Sequence, residues 1–358
     1  MRYAFNKIFL NYKSNELGQT LFFVGLFFLP STIFIASLFL LPAAILSTLL
    51  NKENFFKDNW NKLFLVCGTL MISTVLIQVY FLENLYTGIW DPNLSLIGLA
   101  NWIPHFWLFW SFQPYLNKSS KRKKSSLIAL SGTLPLLISG FGQYFFDWNG
   151  PFSTLNGLIV WFQRPLSQND GLTSFFNHAN YAGSWLIFIW PFCIAFFLIK
   201  TKNYFKKTIS ICFLTSVGTA AFLTNSRNAW IGLFTTVPII LGSESFIWIG
   251  LILIIILFVI SICVLPVFKG ELQTLMRLLV PDKIWLEFTE KGFEGLDVTR
   301  IQIFISSLKI STLRPIFGIG ASSFTAIYSL QAGFWKGHSH NLIVEIAISY
   351  GIPIAILL

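Results

Sequence analysis

Charged residues are scarce in this sequence of 358 residues, and their scarcity argues against an ordinary soluble fold. Asp, Glu, Lys and Arg make up 11% of the chain, whereas soluble domains contain about 25%. The sequence also lacks an internal repeat and a polar stretch long enough to form a separate soluble domain. Hydrophobic residues make up 54% of the chain. Several apolar runs exceed the ~18 residues that mark a membrane-spanning helix, so we expect a single membrane domain over residues 1–358.

Patterns typical of metal centres and disulfide frameworks are missing as well. The four cysteines lie inside apolar runs, without a CxxC pair and without a histidine at ligand spacing. We therefore expect no metal site and no cofactor. The amino-terminal segment is basic but has no compact apolar core followed by a small-residue cleavage site, so a removable signal peptide is not predicted.

The apolar runs predict an all-α, polytopic helix bundle. The first run, 17–50, is interrupted by "LPST" at 29–32 and is expected to form a hairpin of two short helices. The chain ends in mid-run with "GIPIAILL", which indicates that more helices follow in the full protein. With the hairpin, about ten spans are expected, and the others lie at 60–82, 94–116, 125–146, 181–199, 208–224, 228–242, 246–266 and 341–358.

The net charge of +10 is explained by membrane topology better than by nucleic-acid binding. Lys and Arg are concentrated in short connections, such as "KSSKRKK" at 118–124 and "KTKNYFKK" at 200–207, while the connections of opposite orientation carry almost none. The positive-inside rule then places the N-terminus in the cytoplasm. The segments expected outside the cytoplasm are 147–180, 224–229 and 267–340.

The outer segment 267–340 differs from a simple loop because it mixes charged residues with apolar residues at helical spacing. In "RIQIFISSLKI", one face of a helix would carry Ile301, Phe304, Ile305 and Leu308. We expect a large extracytoplasmic loop of short helices, lying on the membrane surface or packed over the bundle, inserted before the last span.

Arg227 lies between two apolar runs, in "FLTNSRNAWIGLF", on the side that carries few cations. A guanidinium near the bilayer boundary is costly unless it is paired, hydrated or functional. One interpretation is an interfacial anchor whose charged head reaches water. The other is a phosphate ligand, because the planar guanidinium binds phosphate oxygens through two parallel hydrogen bonds.

His338 and His340 stand at the start of the last expected span, in "HSHNLIVEI". An imidazole can accept a proton from a hydroxyl nucleophile, so one histidine is a candidate general base and the other a supporting residue. The alternative is a polar cap, in which Asn341 and the histidines satisfy the free N–H groups of the helix start. Side chains at i and i+2 of a helix point in different directions, so a shared metal is not favoured.

Three further polar residues are candidates for supporting roles. Glu345 lies one turn inside the last span, on the face of Asn341, and is expected to orient an imidazole or to pair with an arginine. Arg300 opens a surface helix, where a cation is mildly disfavoured, which suggests an anionic neighbour such as Asp297 or a ligand. Asn180, in "NHANYAG", is expected to cap the span that follows it.

Two glycines, in "RPIFGIGASSF", invite a nucleotide-binding interpretation. A short GxG is weak evidence for a phosphate-binding loop, and the strand and longer glycine pattern of such a loop are missing here. Gly318 and Gly320 are therefore expected to form a turn.

Four motifs in this order resemble the O-antigen ligase and O-antigen polymerase superfamily of bacterial membrane proteins, over about residues 175–358: "FFNHANYAGSWLIFIWP", "TNSRNAWIGLF", "RIQIF...RPIFGIGASSF" and "HSHNLIVEIAISYGIP". The resemblance implies a metal-independent glycosyltransferase of the bacterial inner membrane. Such an enzyme takes a glycan from undecaprenyl pyrophosphate at the periplasmic face, in the biosynthesis of lipopolysaccharide or another cell-envelope polysaccharide. Its partners would be the lipid-linked glycan donor, the bilayer, and a glycan, lipid or protein acceptor.

The resemblance also implies roles for individual residues. Arg227 matches the arginine after the outer turn, and Arg300 matches the arginine that opens the helix of the large loop; both would hold the pyrophosphate. His340, directly before Asn341, matches the proposed general base, while His338 adds a second candidate. Pyrophosphate leaves as a stable anion, so charge stabilisation, a base and positioning would suffice for the transfer.

Other functions remain open at this stage. Ligase is favoured over polymerase because a single large outer loop precedes the histidine-bearing helix. A transporter for a small anion could use Arg227 and Glu345 along its path, but transporters often show internal repeats, and here the polar residues gather at one face. A structural membrane protein would use the same residues only as caps and anchors.

Overall fold

The computed structural model describes residues 2–84, 88–167, 170–280, 282–286, 289, 300–333 and 335–358. Within these residues, helices dominate. The α-helices are α1 Arg2–Phe28, α2 Ile33–Asn51, α3 Asn59–Tyr80, α4 Leu94–Gly98, α5 Ile103–Leu116, α6 Ser119–Phe146, α7 Ala179–Leu198, α8 Tyr204–Leu223, α9 Arg227–Leu241, α10 Ser245–Val264, α11 Glu271–Leu279, α12 Asp282–Trp285, α13 Arg300–Ser311, α14 Ser323–Ala332, α15 Leu342–Tyr350 and α16 Ile352–Leu357. Short 3-10 helices occur at Lys52–Lys57, Leu99–Asn101 and Pro266–Phe268. Two antiparallel strands, which were not expected, are β1 Phe152–Thr154 and β2 Ile159–Trp161.

The first apolar run forms a helical hairpin, but its first helix is longer than expected, because α1 begins at Arg2 and has 27 residues. α1 ends at Phe28, whose carbonyl oxygen accepts hydrogen bonds from the amides of Ser31 at 3.0 Å and Thr32 at 2.9 Å. Pro30 lies in this turn and has no N–H with which to continue the helix. α2 begins directly afterwards, so the interpretation of "LPST" as a break is confirmed.

The expected span at 94–116 is not a single helix. α4 ends at Gly98, a 3-10 turn follows, and α5 begins at Ile103. Pro104, the second residue of α5, has no amide that could donate to the carbonyl of Ala100, so a continuous helix would lose that bond. The prediction of one helix here is wrong.

The expected span at 341–358 is also divided, into α15 and α16. The break lies at Gly351, whose φ of 98° favours glycine. A Cβ at this position would come within 2.0 Å of the carbonyl oxygen of Ile316. Because the helix stops there, the carbonyl of Ile348 accepts a hydrogen bond from the amide of Ile319 at 2.7 Å.

Five helices of the described residues are long and apolar enough to cross a membrane by length and composition. They support an all-α membrane protein, while the larger number of spans expected from the sequence stays a prediction. The five are Ile33–Lys57, Asn59–Tyr80, Ser119–Phe146, Ala179–Leu198 and Ser245–Val264.

The chain folds as two compact units, each built from two stretches of sequence. The first unit comprises Met1–Leu50 and Phe112–Ile262, and the second comprises Asn51–Ser111 and Cys263–Leu358. The predicted loop at 267–340 contains α11 to α14, which are short helices as expected. Its location outside the cytoplasm, and the single membrane domain over 1–358, stay predictions.

The core of the first unit forms where α7 packs against α6, α8 and α9. The buried side chain of Gln143 on α6 fixes the segment that precedes α7. Its Oε1 accepts from the amides of Thr173 at 3.0 Å and Ser174 at 2.9 Å, and its Nε2 donates to the carbonyl of Arg164 at 2.9 Å. The buried amide of Gln143 therefore holds the backbone at Arg164 and at Thr173 and Ser174 against the carboxyl-terminal end of α6.

The second unit is built around α15, which packs against α3, α13, α14 and α16. Its buried side chains include Ile303 from α13, Ile327 from α14 and Val344 from α15. On the α3 side, Gln78 donates from Nε2 to the carbonyls of Phe317 and Ser349. Val344 thus packs the first turn of α15 into the core, while Gln78 holds the other end of the helix, at Ser349.

α13 forms as predicted, but its apolar face does not enter the core of the unit. Ile303, Ser307 and Ile310 form the buried side, against α14 and α15. The opposite side is apolar and exposed, as expected for a short helix that lies on a membrane surface rather than inside a bundle. That exposed face consists of Ile301, Phe304, Ile305 and Leu308.

Candidate active site

The segment 337–341 leads into α15 and carries both histidines. Asn341 caps the helix, since its Oδ1 accepts from the amide of Val344 at 3.1 Å. Thr325 of α14 donates from Oγ1 to the carbonyl of Gly337 at 3.0 Å, which holds the other end of the segment. The predicted cap at Asn341 is confirmed, and the histidines lie in a short loop that is fixed at both ends.

The two imidazole rings lie side by side. Their centroids are 4.2 Å apart and the ring planes are inclined at 66°. Neither residue is helical, and His340 has the left-handed φ of 56°. Side chains at i and i+2 diverge in a helix, but this prediction is wrong for His338 and His340, because the left-handed turn folds one ring against the other.

The backbone amide of His340 donates to Nδ1 of His338 at 3.1 Å. Nδ1 of His338 is therefore an acceptor, and in the neutral imidazole the ring proton lies on Nε2. This hydrogen position follows from the donor and acceptor geometry. Both side chains are exposed, so His338 presents an N–H donor at the surface of the loop.

Glu345 holds the residue between the two histidines. Its Oε2 accepts from the amide of Ser339 at 2.9 Å, and it lies one turn into α15. Ser339 is buried, and its Oγ donates to the carbonyl of Asn341 at 2.9 Å. The carboxylate thus acts on the loop backbone, whereas the sequence argument expected it to orient an imidazole or pair with an arginine.

Arg227 is the first residue of α9, directly after a sharp turn in the first unit. Its side chain is exposed. The turn contains Asn225 in the left-handed conformation, with φ 53°. A guanidinium at a helix N-terminus opposes the helix dipole, so an anion that binds there would be favoured by both the side chain and the amides.

Asn180 lies at the same end of the first unit as Arg227. Gly183, one turn further along α7, packs against the start of α9, and an added Cβ there would lie 3.1 Å from Cβ of Ala229. The cap of α7 is His178, whose Nδ1 accepts from the amide of Asn180 at 3.1 Å. The prediction that Asn180 itself is the cap is wrong, because His178, two residues earlier, occupies the cap position.

A second arginine at this end of the first unit, Arg164, was not predicted from the sequence as a site residue. Arg164 forms an ion pair with Asp170 at 3.5 Å. The carbonyl of Asp170 in turn accepts from Nδ2 of Asn225, two residues before Arg227, at 3.3 Å. The signal was present in the sequence, because Arg164 also lies in a segment expected on the cation-poor side.

Arg300 is the first residue of α13, which packs against α15 in the second unit. Its side chain and the neighbouring Asp297 lie outside the described residues. Gly318 and Gly320 form a turn, as expected, and approach protein rather than a ligand. A Cβ at Gly318 would lie 2.7 Å from the amide of Gly351, and one at Gly320 would meet the ring of Trp90.

Burial affects one titratable group near the site. Desolvation raises the pKa of the Tyr328 phenol on α14, so this residue stays neutral over the physiological range. Among the described residues, no group of three His, Cys, Asp or Glu side chains is placed to hold a metal ion.

The long apolar helices are consistent with an all-α membrane protein. A protein-family model described as O-antigen ligase matches residues 210–358. The match confirms the resemblance to the O-antigen ligase superfamily and includes Arg227, Arg300 and both histidines of the loop. No curated protein and no solved structure matches the chain.

Residues 210–358 resemble membrane glycosyltransferases of the O-antigen ligase and polymerase type. The family match and the helices long enough to span a bilayer support a location in a bacterial inner membrane.

Proposed function

We propose that the protein transfers a glycan from undecaprenyl pyrophosphate to a hydroxyl group of a glycan, lipid or protein acceptor, at the periplasmic face of the membrane. The observation that carries this proposal is the histidine loop. Nδ1 of His338 accepts a hydrogen bond from the amide of His340, so the ring proton of the neutral His338 lies on Nε2. His338 is therefore a hydrogen-bond donor. The role of general base then falls to His340.

In the proposed reaction, the acceptor hydroxyl gives its proton to His340 while its oxygen attacks the anomeric carbon of the glycan. The bond between that carbon and the pyrophosphate oxygen breaks, and undecaprenyl pyrophosphate leaves with the electron pair. A positioned base contributes about 10²- to 10⁴-fold to such a step. The Nε2–H of His338 supplies a donor beside the base, suited to an oxygen of the acceptor or of the leaving group.

Arg227 and Arg300 are proposed to bind the pyrophosphate and to take up the charge that develops on it. Each would supply a permanently charged, planar donor, and this proposed reaction requires no metal ion. The position of Arg227 supports the proposal, because its exposed side chain lies at the amino-terminal end of α9. Asn180, Asn341 and Glu345 are assigned supporting roles in holding the surrounding backbone.

An apolar cavity of about 440 Å³ in the first unit supports a lipid-linked donor. It is lined by Trp148, Phe152, Phe175 and the polar side chain of Gln163. The residue after Gln163 is Arg164, which joins the ion pair beside the turn of Arg227. The cavity suits a few isoprene units of the carrier lipid, next to cations that suit its pyrophosphate.

The proposal is tested by expressing the full chain in a bacterium that lacks its own O-antigen ligase and scoring polymer attached to lipid A core on a gel. We expect the wild-type chain to restore the ladder, and Arg227→Ala and Arg300→Ala to lose it at matched membrane abundance. The control is Arg122→Ala, which removes an exposed arginine from the amino-terminal end of α6, at the opposite end of the first unit.

The outcomes separate the candidate functions. A ladder that survives both Arg227→Ala and Arg300→Ala would contradict the pyrophosphate assignment. If the wild-type chain restores no ladder but lengthens the lipid-linked glycan, the protein is a polymerase. If it alters neither product, the transferase proposal is wrong.

A further inference from the structure

The connection between α7 and α8 is rich in positive charge. Lys200, Lys202, Lys206 and Lys207 lie within eight residues, with no acidic residue among them. The first three side chains are exposed and Lys207 is half-buried. Four residues of "KTKNYFKK" also line a pocket: Lys200, Thr201, Tyr204 and Lys207.

The pocket has a volume of about 380 Å³ and combines apolar with cationic walls. Its apolar wall is the end of α7, a helix long and apolar enough to span a membrane. Its cationic wall includes Lys200 and Lys207. The complete lining is Phe197, Leu198, Ile199, Lys200, Thr201, Tyr204 and Lys207.

Lys207 is fixed at the base of this pocket. Its Nζ donates to the carbonyl of Phe197 at 2.9 Å and lies 3.8 Å from the centroid of the Phe197 ring. An ammonium has three N–H donors, so the carbonyl occupies only one of them. A cation held in place in this way loses little conformational entropy when it binds an anion.

Two exposed aromatic residues stand beside the lysines. Tyr204 is 90% exposed in the structure and Phe205 is 73% exposed. Aromatic side chains next to a spanning helix are typical of the boundary between lipid and water. The pocket therefore lies where headgroups are present, with phosphate donors on one wall and an apolar surface for acyl carbons on the other.

We propose that this pocket binds the headgroup of an anionic glycerophospholipid. The two pocket lysines contact its phosphate, and Phe197, Leu198 and Ile199 contact the first carbons of its acyl chains. Clusters of four or more basic residues beside a spanning helix attract anionic lipids. This site is separate from the proposed transferase site and does not depend on it.

The test uses the purified full chain, reconstituted in nanodiscs made from equal amounts of phosphatidylglycerol and phosphatidylcholine. After extraction in mild detergent, the lipids that remain bound are quantified by mass spectrometry. We expect phosphatidylglycerol to be enriched in the wild type. Each pocket lysine contributes about fivefold to the enrichment, the effect of one lysine near an anionic surface.

The variant Lys200→Gln with Lys207→Gln is expected to lose the enrichment, whereas Lys200→Arg with Lys207→Arg retains it. The matched control, Lys52→Gln with Lys57→Gln, removes equal charge from the exposed 3-10 helix Lys52–Lys57, where Glu53 and Asp58 lie among the lysines, and is expected to keep the enrichment. Enrichment that persists in the pocket glutamine variant, or that falls equally in the control, would overturn the proposal. So would loss in the arginine variant, or displacement of the lipid by inorganic phosphate alone, which would indicate a site for the free anion.

Discussion

The amide nitrogen of His340 lies 3.1 Å from Nδ1 of His338, and the centroids of the two rings are 4.2 Å apart. This contact depends on the left-handed backbone of His340, at φ 56°, a conformation that is uncommon outside glycine but that histidine adopts more often than most residues. Backbone outliers of this kind cluster at functional sites. The hydrogen bond also gives the two histidines different capacities, one as donor at Nε2 and the other as the proposed base.

The first prediction separates the two histidines. We expect His340→Gln to lower the rate of glycan transfer by about 100-fold or more, because a general base is removed. In His338→Asn, the asparagine side chain can still accept a hydrogen bond from the amide of residue 340, as asparagine does in local turns. The transfer rate of this variant should fall less than about tenfold. Transfer rates of the purified variants measure the difference. Equal losses in two folded variants would refute the division of roles.

The second prediction concerns Glu345 as a positioning residue. Glu345→Ala leaves the amide of buried Ser339 without its acceptor, which should cost about 1 to 3 kcal/mol of stability and lower transfer. Glu345→Gln keeps an oxygen at the same place and should restore most of both. The measurements are thermal unfolding and transfer rate, with exposed Glu244→Ala as the control. If Glu345→Gln is as defective as Glu345→Ala, the charge of the carboxylate matters more than its position.

The third prediction concerns the break between α15 and α16. Gly351→Ala should destabilise the chain by more than about 3 kcal/mol, because a left-handed backbone conformation is combined with a Cβ 2.0 Å from the carbonyl oxygen of Ile316. Gly333→Ala is the matched control, since φ is also positive there but none of the described residues lies within 4 Å of an added Cβ. It should cost only about 1 to 2 kcal/mol. Equal shifts in the unfolding temperature of the two variants would contradict the steric account of the break.

Much of the helical fold could be predicted from hydropathy and proline alone. The hairpin at "LPST" and the long helices around 125–146 and 181–199 follow from apolar length and from residues that lack an amide. The divided segments were missed for different reasons. Pro104 was a visible signal, whereas the break at Gly351 depends on the close approach of Ile316, a contact between distant parts of the chain.

The candidate site was predictable by residue type but not by geometry. The cap at Asn341 is a local property of a helix start, and it formed as expected. The edge-to-face contact of the His338 and His340 rings could not be foreseen, because it follows from one left-handed residue. Arg164 was missed because only the arginine in the shortest turn was singled out from the sequence, while the structure connects Arg164 through Asp170 to Asn225, two residues before Arg227.

The most direct test of the central claim is the release of undecaprenyl pyrophosphate by the purified full chain. The protein would be incubated with an undecaprenyl-pyrophosphate-linked glycan and an acceptor, and the released carrier would be quantified by mass spectrometry. The account predicts acceptor-dependent release by the wild type, and release at least about 100-fold slower by His340→Gln. Equal release by the two proteins would contradict it.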